Sequence, residues 1–204
     1  MSEQLTAWHN LGSVSRLSVL VRAAVQNAAR GLTDMIGRPI RTGTSQARVV
    51  HFDDMTVQVG DPESAMVGIY LLMEGNLSGQ TILILSLASA LNLADFVMDT
   101  PPGTATNLGD MERSALAEVG NLTVSYFLNA MATLTGKPLR PSPPAVMVDM
   151  LGAILNVVAT RVGETSDDLL IIETVLQDPD GLMQARLWVL PDLTLQMLES
   201  AGIG

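Results

Sequence analysis

Ser114, Glu118 and Asn121 stand four and three residues apart in the run Ser114-Ala-Leu-Ala-Glu-Val-Gly-Asn121. On a helix those steps place all three on one face. A carboxylate and a carboxamide then lie one turn apart, with no Lys or Arg close behind Arg113. The carboxylate can pair with a cation, and the carboxamide can accept and donate hydrogen bonds in one geometry. The same steps continue to Ser125 and Asn129, so the polar stripe is long. Taken alone, such a stripe is most often a solvated helix face. Asn pulls against that reading, because its amide competes for local backbone groups and costs a helix interior about half a kcal/mol. Something other than helix stability keeps Asn121 and Asn129 there. Pro143 and Pro144 follow at a distance, Pro144 with 22 residues between it and Asn121.

The element that must hold these residues is a helix predicted from about Asn107 to Thr135. Leu116, Gly120, Val124, Phe127, Met131 and Leu134 form its core-facing stripe. Asn107 or Asp110 suits the N-cap, and Gly136 followed by Pro138 stops the run. An earlier helix, Leu11 to Ile36, has Leu17, Leu20, Ala24, Ala28, Leu32 and Met35 on one face and ends at Gly37 before Pro39. Val49 to Val59 reads as a short strand and a turn, and Asp61 to Ser64 as loop. Met66 to Glu74 and Thr81 to Leu87 read as a hairpin around Gly75 to Gly79. A short helix, Ala88 to Met98, follows, and Thr100-Pro-Pro-Gly-Thr104 is a break. The spacing of Met147, Met150, Leu151, Ile154, Val158 and Arg161 predicts a helix over Val146 to Val162. Strands are predicted at Leu169 to Gln177 and Met183 to Leu190, around the turn Asp178-Pro-Asp-Gly181, and a last short helix at Leu193 to Ser200.

The two halves repeat this order. Gly37-Arg-Pro-Ile40 matches Gly136-Lys-Pro-Leu139 at an offset of 99 residues. The pattern predicts an α+β fold, a duplicated pseudo-twofold unit whose long helices pack on a shared antiparallel sheet in two layers. One domain over 1–204, with repeats of about 11–99 and 105–202, accounts for the length. At the same offset Ser114, Glu118 and Asn121 map to Ser15, Val19 and Arg22, and Pro143 and Pro144 to Thr44 and Ser45. The first copy keeps the architecture and loses the polar constellation.

Composition excludes several classes. The net charge is −10, with Lys137 the lone lysine, so no nucleic-acid binding is expected. There is no cysteine, hence no disulfide, thiolate metal site or thiol nucleophile. Aromatics are only 3% of an otherwise apolar chain, so the core must be Leu, Val, Ile, Ala and Met. The first residues carry no basic and apolar leader pattern, and no run qualifies as a membrane span. A cytoplasmic protein without membrane contact is the expectation. His9 and His51 have no ligand partner at metal spacing, and the acids of His51-Phe-Asp53-Asp54 read as solvated. A phosphate-binding Gly-rich loop with Lys is absent.

Ser114, Glu118, Asn121 and Pro143 or Pro144 together resemble the signature of the CheC/CheX/FliY chemotaxis phosphatases, a Ser or Asp, then Glu-x-x-Asn, then Pro after about 22 residues. The likeness continues through Gly120-Asn-Leu-Thr, Leu134-Thr-Gly-Lys-Pro138 and Asp149-Met-Leu-Gly-Ala-Ile-Leu155, and Asn27 to Pro39 looks like the first repeat of CheC. The resemblance spans nearly the whole chain. It implies hydrolysis of the aspartyl phosphate of a CheY-type response regulator. It implies that Asn121 orients the attacking water in line with phosphorus and that Glu118 binds a basic residue of the regulator. Ser114, Pro143 and Pro144 are implied as support. No cofactor is implied on this chain; Mg²⁺ is expected on the regulator. Some family members also bind the receptor deamidase CheD, and a monomer is the expectation for a duplicated chain that closes its own sheet.

The chemistry fits that implication. Phosphoryl transfer needs positioning and charge stabilisation more than covalent help. Fixing one water on a rigid helix can supply a few kcal/mol. Arg22 cannot accept a hydrogen bond from water, so the first copy is expected to be inactive. The competing reading is a non-catalytic docking or adaptor module, like the middle domain of the flagellar switch protein FliM.

Overall fold

Eight antiparallel strands form the sheet that carries every helix of the described chain. The computed structural model describes residues 20–51, 60–75, 78–136, 138–162 and 168–192. In chain order the elements are α1 (20–36), β1 (Arg41–Thr42), β2 (Gln46–His51), β3 (Ala65–Gly75), β4 (Gly79–Ser86), α2 (Leu87–Val97), α3 (Asp110–Thr135), β5 (Leu139–Pro141), β6 (Ala145–Met150), α4 (Leu151–Val162), β7 (Asp168–Gln177) and β8 (Gln184–Pro191).

The sheet order is β1-β7-β8-β4-β3-β5, with β2 also on β7 and β6 also on β3. Read from either end it gives the same sequence of roles: two short outer strands, then the two strands of a hairpin. The halves meet where β4 pairs with β8, Ile82 opposite Trp188 and Leu83 opposite Leu187. Each half lays its outer strands on the other half's hairpin: β1 and β2 on β7, β5 and β6 on β3. This is the α+β, pseudo-twofold arrangement of long helices on an antiparallel sheet that the repeat implied. The long helices also touch at equivalent positions, where Asn27 Nδ2 donates to the Tyr126 carbonyl at 2.9 Å across a sequence separation of 99.

The sheet is covered on both faces. Val67, Ile69, Leu71, Leu83, Leu85, Leu187 and Val189 form one core with residues of α1, α2 and α3. Their alternates Ile82, Ile84, Trp188 and Leu190 form a second core with Leu151, Ile154, Leu155 and Val158 of α4. β4 is therefore apolar without alternation, as a strand buried on both sides must be. α4 adds a cover that the two-layer expectation did not include.

Three expectations need correction. Val146 to Val162 is not one helix: Ala145–Met150 is β6, and only Leu151–Val162 is helical. Met147 and Met150 fit the helical spacing by coincidence. Pro144 disfavours helix just before, and six consecutive pairs to β3 decide for strand. Neither Asn107 nor Asp110 caps α3; Gly109 occupies that position without a side-chain hydrogen bond. Leu134 is 48% exposed and leaves the core stripe; it lines an open groove with Ala23, Asn27 and Arg30 of α1.

The helix stop at Gly136 holds, with φ at 67°, a left-handed C-cap that glycine adopts without penalty. Thr100 to Thr104 is loop, tied down by Asp95. The halves on either side of it share one sheet. The expected helix at Leu193 to Ser200, the turn to Val59, Leu17, Ser15, Val19, Asp53 and Asp54 lie outside the described residues.

Candidate functional site

α3 lies across β3 because Gly120 lets it. A Cβ there would come within 2.4 Å of the Ile69 Cγ2 atom. Leu116, Val119, Val124, Phe127 and Leu128 are buried around this contact. The opposite side of the helix then has to face away from the sheet. Ser114 and Glu118 are exposed and Asn121 is half-buried.

A second wall stands beside this face. β5 and β6 both pair with β3, and the chain between them arches from Pro141, the last residue of β5, to Pro144. Three of these four residues are prolines and lack an N–H, so Ser142 is the only backbone donor of the arch. Its N–H donates to the Leu72 carbonyl at 3.0 Å. Its hydroxyl accepts from the Leu72 N–H at 2.9 Å and donates to the Pro143 carbonyl at 3.1 Å. The side chain thus supplies the acceptor that a strand carbonyl would give, and the arch is pinned to β3.

Helix and arch enclose an open groove of about 460 Å³ lined by Ser114, Ala117, Glu118, Asn121 and Pro141 to Pro144. All five residues singled out in the sequence, Ser114, Glu118, Asn121, Pro143 and Pro144, line it. Ser142 was missed. Its signal was legible: a lone donor among prolines must be used. Asp95 was missed as well. It is fully buried, and it accepts from Thr100 Oγ1 (3.1 Å) and from the N–H groups of Gly103 (2.8 Å), Thr104 (3.0 Å) and Ala105 (2.9 Å). Its carboxylate holds the loop that delivers the chain to the start of α3.

Among the described residues neither Glu118 nor Asn121 has a hydrogen-bond or ion-pair partner in its side chain. Both are available to something entering the groove. Its donors are one carboxylate, one carboxamide and two hydroxyls, too few hard oxygen ligands for a dedicated Mg²⁺ or Ca²⁺ cage. At the equivalent place in the first half, Arg22 is exposed and Ser45 Oγ is engaged by Thr174 Oγ1 at 2.7 Å.

The CheC-like family model matches residues 111–148, which cover the first helix turn through the groove and into β6. The CheY-P phosphatase CheC of Bacillus subtilis is 27% identical over 170 residues, 81% of each chain. The Thermotoga maritima FliY structure superposes with a TM-score of 0.72 at 18% identity, covering 93% of this chain and 94% of that one. The chain is similar to the CheC-like family over this segment and to CheC along most of its length, and it shares the fold of FliY. A Borrelia burgdorferi CheX, solved in a CheX–CheY–BeF₃–Mg complex, shares the fold of this CheC-like chain, with a TM-score of 0.56 at 16% identity over 84% of this chain and 96% of that one. Among the described residues, no helix of the CheC-like chain is long and apolar enough to cross a membrane.

Proposed function

We propose that this protein hydrolyses the aspartyl phosphate of a CheY-type response regulator, with Asn121 and Glu118 as its working residues. The observation that carries the reading is the groove, where residues 114, 118, 121, 143 and 144 come together from two separate segments of chain. The name of the Bacillus subtilis relative supports the reaction, and the CheX–CheY complex supports the kind of partner.

The residues divide the work. The regulator's phosphorylated aspartate enters the groove. The Asn121 carboxamide oxygen accepts a hydrogen bond from a water molecule, whose protons stay with the phosphate formed, and its N–H₂ donates toward a phosphoryl oxygen, which holds the water on the line opposite the leaving carboxylate. The water oxygen forms the new bond to phosphorus as the bond to the aspartyl oxygen breaks. Phosphate and a free aspartate result. A carboxylate leaving group needs no strong acid, so the absence of His from the groove lining is consistent with the chemistry. Glu118, one turn back, pairs with a cation of the regulator and fixes the docked pose. Mg²⁺ belongs to the regulator, where it neutralises phosphoryl charge. Ser114, Pro143 and Pro144 shape the groove. CheD is a further candidate partner, with no surface of this chain assigned to it. A monomer working in the cytoplasm completes the proposal.

A second reading, a docking module without turnover, is favoured by one observation: the first half has the same scaffold with Arg22 exposed in place of the carboxamide. Dephosphorylation of a regulator labelled on its aspartate separates the two. With Mg²⁺ present, wild type is expected to speed phosphate loss, and Asn121→Ala to return it to the regulator's own rate. Unchanged phosphate lifetime with wild type, despite binding, would establish the docking module.

A further inference from the structure

Among the described residues, the face of the sheet beneath α1, α2 and α3 is left open at one edge. Val146, Val148 and Met150 of β6 pair with Ile69, Val67 and Ala65. Directly paired residues of antiparallel strands point to the same face. Ile69 and Val67 belong to the core beneath α3, and Val146 packs against its margin. Val148 and Met150 continue that row beyond the helix and are 38% and 52% exposed. Met111, in the first turn of α3, is 72% exposed. These apolar side chains sit on the two elements that build the groove: Met111 lies one turn before Ser114, and β6 begins directly after Pro144.

The charge of the same region is one-sided. Asp110, Glu112 and Glu118 stand on the N-terminal half of α3 against Arg113, whose Nε is turned to the Leu108 carbonyl at 3.1 Å. A partner that fits must therefore present an apolar patch bordered by a basic side chain. Three partly exposed side chains are too few for the interface of a permanent dimer and suit a short-lived encounter. A partner released after each turnover needs that kind of contact.

We propose that Met111, Val148 and Met150 form the apolar rim of the surface on which the phosphorylated regulator docks. The identity of the partner rests on the phosphatase reading; the rim and its chemistry rest on exposure and register. The apolar contact contributes affinity, and Glu118 sets register by pairing with the partner's cation.

The test measures binding and turnover separately. The probe is a CheY-type regulator from the same source, held in its phosphorylated form with beryllofluoride and Mg²⁺ for binding and phosphorylated on its aspartate for turnover. Val148→Ser combined with Met150→Ser is expected to raise Kd and KM about tenfold, the loss of partial burial of two apolar side chains, with kcat within about twofold of wild type. Met111→Gln, on a different element, is expected to act in the same direction and serves if the β6 variant does not fold. Wild-type affinity in folded variants would overturn the rim, even with turnover intact and the phosphatase reading standing. A change from dimer to monomer at unchanged regulator affinity would overturn it too, by assigning the strip to a second copy. Weakened binding in the rim variants with no turnover in wild type would keep the rim and sink the catalytic reading.

Discussion

Asn121 and Glu118 differ in what they can lose. In the proposed mechanism Asn121 acts on the water, so its truncation should lower kcat and leave the bound pose alone. Asn121→Ala is expected to cut kcat at least about a hundredfold, the equivalent of about 2.7 kcal/mol of positioning, with KM within about threefold. Single-turnover and steady-state rates on the phosphorylated regulator check this. Glu118→Gln keeps size and removes charge. It is expected to raise KM several-fold and to flatten the salt dependence of KM, because the ion pair it makes is screened. That these two residues share one side of a helix, where both line the groove, was legible in the sequence through their spacing. Ser142 was not used, although three flanking prolines marked it as the sole donor of its segment. Asp95 gave no local signal at all. Its acceptors are filled by donors five to ten residues ahead in a loop whose path periodicity does not encode.

An element works here only as accurately as its neighbours hold it. The arch from Pro141 to Pro144 is kept on β3 by the backbone N–H and the hydroxyl of one residue, Ser142, and the groove's second wall is held with it. Ser142→Ala leaves the Leu72 N–H without its acceptor. It is expected to cost about 1–2 kcal/mol in denaturant unfolding and to lower kcat more than a surface Ser→Ala control of equal stability cost. Equal kcat for the two variants would show the arch to be passive. α3 depends in the same way on Gly120. Gly120→Val brings methyl groups into space already within 2.4 Å of Ile69 and is expected to cost about 1–3 kcal/mol, with the helix lifted from the sheet. The strand β6 shows why an element can be misread from its own residues. Val146 to Val162 carries helical spacing throughout, yet Ala145–Met150 finds six partners on β3. Pairing with a strand some eighty residues away outweighs local pattern, and nothing within the segment announces that partner. The hairpins and the central helix were legible because their turn chemistry and their buried stripes agree.

The molecule is symmetric in a way that ties its halves together. β1 and β2 come from the first half and lie on β7 of the second; β5 and β6 come from the second and lie on β3 of the first. The groove therefore cannot belong to one repeat alone. Ser114, Glu118, Asn121 and the proline arch are all in the second half, but Leu72, which pins the arch, and Ile69, which seats Gly120, are in the first. The first half carries Arg22 in the place of the carboxamide and still forms the floor under the second half's groove. The repeat itself was legible from the Gly-basic-Pro helix stops. The exchange of outer strands was not, because an offset in sequence says which segments are alike and nothing about which ones pair. A consequence follows for stability. Removing either half strips two strands from the sheet of the other and uncovers β4 or β8 along its length, an unpaired edge whose centre is the apolar run Ile82–Leu85 or Leu187–Leu190. Residues 1–104 and 105–204 produced separately are expected to be unfolded or aggregated, and the intact chain to unfold in one transition with equal calorimetric and van't Hoff enthalpies. Two resolved transitions, or a second-half fragment that folds and hydrolyses the regulator's phosphate alone, would mean that the shared sheet is not a cooperative unit. One transition would show that the groove depends on the first half: its loss would unseat α3 and open the groove from below.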